Sequence, residues 1–67
     1  MASQEAPVSR RKWNVWSVDT AEQRALVVDE GSQAKAIESA DRRNAAAARL
    51  GVANLRFVAL PDGEVPT

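Results

Sequence analysis

Residues 32–51 constrain this chain more than any other stretch. Between Ser32 and Gly51 lie Ala34, Ala36, Ala40 and four consecutive alanines at 45–48, the best helix formers, with neither glycine nor proline among them. Ser32 is a good N-cap, because its hydroxyl can accept an otherwise orphaned amide of the first turn. Gly51 suits the left-handed position that ends a helix, with Val52 folding back on Ala47. The pattern predicts a helix over 33–50. At 100° per residue, Ala36, Ile37, Ala40, Asn44, Ala47 and Ala48 share one stripe, with Leu50 at its edge. Lys35, Glu38, Arg42, Ala46 and Arg49 lie on the other side. An inner stripe of alanines can approach a sheet closely but buries little area, so most apolar burial must come from the strands.

The flanking segments have strand chemistry. Residues 12–18 contain Trp13, Val15, Trp16 and Val18, and 24–29 contain Leu26, Val27 and Val28. Residues 55–60 read Leu-Arg-Phe-Val-Ala-Leu. Asp19, Thr20, Ala21 and Glu22 separate the first two strands with turn chemistry, because Asp and Thr side chains can bond the backbone two positions on. The third strand ends at Pro61, Asp62 and Gly63. The order is therefore β-β-α-β, an α+β domain at 10–61. A flexible lead-in is expected at 1–9 and a flexible tail at 62–67. A strand–helix–strand crossover makes its two strands parallel. Placing strand three on the free edge of strand one then predicts a three-stranded mixed sheet, order 2-1-3, with one helix on one face.

A chain of 67 residues can build only a small core, and with no cysteine or histidine it lacks disulfides and the usual zinc ligands. Oligomerisation is the remaining way to add stability, so a homodimer sharing the core, or a marginal monomer, is expected. No apolar run reaches the ~18 residues of a membrane span, and the N-terminus has no hydrophobic signal core. No membrane partner is expected, and the default location is cytoplasmic. Alanine and arginine in preference to lysine suggest a GC-rich genome, bacterial or phage.

Nine basic and nine acidic residues cancel, which removes the long-range field of a protein held to nucleic acid chiefly by phosphates. Locally, Arg10, Arg11 and Lys12 precede Trp13 and Trp16. Single-stranded nucleic acid is bound by that combination of cations and stacking rings. Arg42, Arg43 and Arg49 form a second basic group, either a solvated helix face or an anion or nucleic-acid surface. The two tryptophans, three positions apart, must point to opposite faces of a regular strand. One belongs under the helix; the other either caps the sheet edge or packs against the N-terminal segment, or is exposed on the open face as a partner surface.

Catalytic candidates are few. There is no Gly-rich phosphate loop or nucleophile elbow, and the carboxylates Asp29, Glu30, Asp62 and Glu64 are the remaining acid–base groups. No enzyme activity, metal or cofactor is expected. The sequence favours a non-enzymatic module that binds another protein or itself through an open sheet face or strand edge, using Trp13, Trp16, Arg10, Arg11 and Lys12. Single-stranded nucleic-acid binding by the same residues is the alternative.

Overall fold

The computed structural model describes residues 11–67; the expected lead-in at 1–9 and Arg10 lie outside them. Strands β1 (Trp13–Asp19) and β2 (Arg24–Gly31) form the expected hairpin, followed by helix α1 (Gln33–Arg49) and strand β3 (Leu55–Pro61). Asp19 organises the turn: its Oδ1 accepts the amides of Ala21 at 2.9 Å and Glu22 at 3.1 Å. The same oxygen accepts Asn54 Nδ2 at 3.2 Å, while the Asn54 carbonyl accepts the Thr20 amide at 2.9 Å. The hairpin loop is thus tied to the residue that leads into β3.

The sheet has the expected order β2-β1-β3, and both pairings are antiparallel. The expectation of a mixed sheet is corrected here. The crossover through α1 does make β2 and β3 parallel to each other, but β1 lies between them. Because the hairpin makes β1 antiparallel to β2, it is antiparallel to β3 as well.

Both helix ends follow the sequence. The Ser32 hydroxyl accepts the Lys35 amide at 3.3 Å. At the other end Gly51 takes φ +75°, and the Val52 amide reaches the Ala47 carbonyl at 2.9 Å while that of Gly51 reaches Ala48 at 3.2 Å. Those two bonds make a complete Schellman motif.

The buried stripe of α1 differs from the periodicity reading. Ala36 and Ala40 are buried as expected, but Ser39 is buried too and Ile37 is 43% exposed. The helix is rolled toward Ser39 because that hydroxyl has a partner beneath it, donating to Asp29 Oδ2 at 2.8 Å. The core is correspondingly slight: Val15, Ala36 and Ala40, with Trp13, Phe57 and Ala59 packed against them.

Candidate functional site

Register settles which side chains share a face. Trp13, Val15 and Ser17 of β1 stand opposite Pro61, Ala59 and Phe57 of β3, beneath the helix. Asn14, Trp16 and Val18 stand on the other face opposite Leu60, Val58 and Arg56. The two tryptophans therefore divide between the faces as their spacing predicts. Neither, however, is exposed: both are half-buried, which corrects the expectation of an exposed ring. Trp16 is flanked by Val27 and Val58 directly across the two ladders. Both indole N–H groups are buried without a hydrogen-bond partner among the described residues.

The tail contributes to this face. Glu64 N–H closes a turn on the Pro61 carbonyl at 3.0 Å, with Gly63 at φ +97°. Pro66 and Thr67 then lie beside Val18 and Ala25, lining with them and with Gln23 and Arg24 a depression of about 220 Å³.

A continuous run of exposed apolar residues lies on β2. Leu26, Val27 and Val28 are consecutive and 54%, 44% and 39% exposed. Leu26 pairs with Ser17 on the helix side and Val27 with Trp16 on the open side, and the register shifts at Val28. Residues 24–28 are all exposed; on the helix side Leu26 is left uncovered because α1 packs mainly over β3. There Asn44 holds the strand's backbone: Phe57 N–H donates to Asn44 Oδ1 at 2.9 Å, and Asn44 Nδ2 donates to the Phe57 carbonyl at 2.8 Å. That side-chain amide occupies the outer edge of β3 much as another strand would. No comparable partner closes the outer edge of β2 among the described residues.

Lys12 Nζ lies 3.5 Å from Glu30 Oε1, and Arg11 Nη2 donates to the Asp62 carbonyl at 3.1 Å. Asn14 Nδ2 reaches Asp62 Oδ1 at 3.1 Å. The described part of the basic run is therefore interleaved with acidic residues at one end of the sheet. The arginine group on α1 is divided. Arg42 and Arg49 are exposed, but Arg43 is half-buried and turned inward, correcting its placement with them. Its Nε donates to Ser39 Oγ at 3.1 Å, Nη2 lies 3.9 Å from Asp29 Oδ2, and the guanidinium sits 6.0 Å from the Phe57 ring centroid.

The carboxylates do not gather into one site, since Asp29 bonds α1 while Glu30 turns to Lys12 on the opposite face. Ser39, above all, holds the Asp29 carboxyl below its ordinary range, helped by the Glu30 amide and Arg43. An open apolar groove of about 240 Å³ runs between the last turns of α1 and β3, lined by Ala46, Ala47, Leu50, Leu55 and Phe57 among others. No group of three or more potential metal-ligating side chains occurs among the described residues, and no described helix is long and apolar enough to cross a membrane.

Sequence reading missed Asn14, Ser39 and the bidentate role of Asn44. A polar residue inside an otherwise apolar helix stripe was the available signal for Asn44. Comparison with family models, curated proteins and solved structures finds no match.

Proposed function

We propose that this chain is a non-enzymatic protein–protein interaction module whose contact surface is the outer edge of β2 with the open sheet face beside it. One observation carries the reading: the apolar run Leu26, Val27 and Val28 is exposed along a sheet edge where the tail residues Pro66 and Thr67 lie beside Arg24 and Ala25 only, whereas Asn44 holds the backbone of Phe57 in the middle of the β3 edge. Soluble domains guard such edges with charge, proline or a covering element, and an unguarded one is a template for an added strand. Trp16 adjoins this surface through Val27 and supplies an aromatic anchor at its inner margin.

Nucleic-acid binding has less support, because Lys12 is paired with Glu30 and Asp62 adjoins Arg11. That alternative requires salt-sensitive quenching of tryptophan emission by single-stranded DNA or RNA.

A photo-crosslinking residue placed at Val27, with one at Arg49 on the outer helix face as control, tests the interaction reading in cells. Discrete protein adducts from position 27 and none from 49 are expected. Adducts from 49 with none from 27 would overturn it.

A further inference from the structure

We infer that the strand added to β2 is β2 of a second copy of this chain, joined about a two-fold axis into a continuous six-stranded antiparallel sheet. The inference rests on the edge reading above and names its occupant. Three observations converge on it.

The first is the charge order along the strand. β2 reads Arg-Ala-Leu-Val-Val-Asp-Glu-Gly, with a cation at its start, apolar residues in the middle and two carboxylates at its end. Antiparallel alignment with itself brings Arg24 of each copy toward Asp29 and Glu30 of the other and sets the apolar runs together. Parallel alignment would place like charges side by side. Directly opposed charges across a ladder stabilise a pair when opposite and destabilise it when alike. The strand is thus complementary to itself in the orientation that a closed two-fold dimer requires.

The second is the asymmetry between edges. Asn44 takes both backbone groups of Phe57 on the outer side of β3, so a further strand cannot pair regularly there at Phe57, while no side chain among the described residues makes such a bidentate contact on β2. Between Arg24 and Asp29 the β2 edge carries no proline and no charge. Leu26 and Val27 are the two most exposed residues of its apolar run.

The third is the core. Only Val15, Ala36 and Ala40 are fully buried apolar residues among those described, while Leu26 and Val27 project from opposite faces of the free strand. Pairing the strands covers both together, which one chain of this size does not manage alone.

Sedimentation equilibrium over a range reaching millimolar concentration tests this on the full chain. The wild type is expected at twice its 7.2 kDa mass. Val27→Lys should remain folded by circular dichroism but sediment as a monomer. Arg24 is a surface residue with a side chain 66% exposed, so Arg24→Glu serves as the variant least able to disturb folding. It should weaken association roughly tenfold by opposing like charges at both ends of the pair. Mixing Arg24→Glu with Glu30→Arg should restore association as a mixed dimer. A wild type that stays at monomer mass throughout overturns self-pairing while leaving crosslinked adducts at position 27 to stand. A wild-type dimer unaffected by both Val27→Lys and Arg24→Glu places the contact elsewhere and removes the β2 reading with it.

Discussion

Single polar side chains decide more here than the count of apolar ones. Asn44 satisfies both the amide and the carbonyl of Phe57 from the adjacent helix, a task that needs a donor and an acceptor on one planar group. Asn44→Ala should leave both backbone groups without protein partners and cost about 2 kcal/mol in urea unfolding. Asn44→Asp should also destabilise, because a carboxylate cannot donate to the Phe57 carbonyl; equal stability of both variants and wild type would show the bonds to be inconsequential. Gln23 presents the opposite case, a residue that fits its backbone poorly. It sits at φ +56° at the end of the hairpin loop, in the left-handed region that side chains with a Cβ adopt at a cost. Gln23→Gly should raise the urea midpoint, adding about 0.5 to 1 kcal/mol after the extra entropy lost by glycine is offset.

At the scale of elements, the parts readable from the sequence were those fixed locally. Ser32 and Gly51 bracket α1 because capping depends on residues within one turn, and the hairpin turn follows from an aspartate that bonds its own neighbours. Gly51 can be tested directly: Gly51→Ala forces a Cβ into φ +75° and should cost about 1 kcal/mol in thermal or urea unfolding, although nothing lies within 4 Å to obstruct it. What the sequence could not display was set by pairing across the chain. Strand order came out of the crossover, but strand direction needed β1 to be recognised as the strand between β2 and β3. The roll of α1 depends on a Ser39–Asp29 hydrogen bond across ten residues, which periodicity cannot register. For the same reason Arg43 looked like a surface cation beside Arg42, when its partners are on β2, α1 and β3. The candidate edge was legible as an apolar run; its exposure became evident only once the helix was seen to sit toward β3.

For the whole molecule, two carboxylates link parts of the fold that the slight core does not. Asp19 joins the hairpin loop to Asn54, and Asp29 joins β2 to α1 through Ser39. Both titrate below their ordinary value of 3.8: Asp19 chiefly through the Asn54 hydrogen bond and the Glu22 amide, and Asp29 chiefly through Ser39 and the Glu30 amide. A carboxylate whose pKa is lower folded than unfolded binds fewer protons in the native state. Its contribution is therefore present in full above the unfolded value and is lost as pH falls through the folded one. Melting temperature should accordingly hold steady from neutrality down to about pH 5 and decline below about pH 4. Asp29→Asn should lower the neutral-pH melting temperature and flatten the acid decline, and Asp19→Asn should do likewise. Because self-association would itself raise the melting temperature with concentration, the variants are compared at one protein concentration. An acid decline of equal depth in the double variant would show that these two carboxylates do not couple folding to pH.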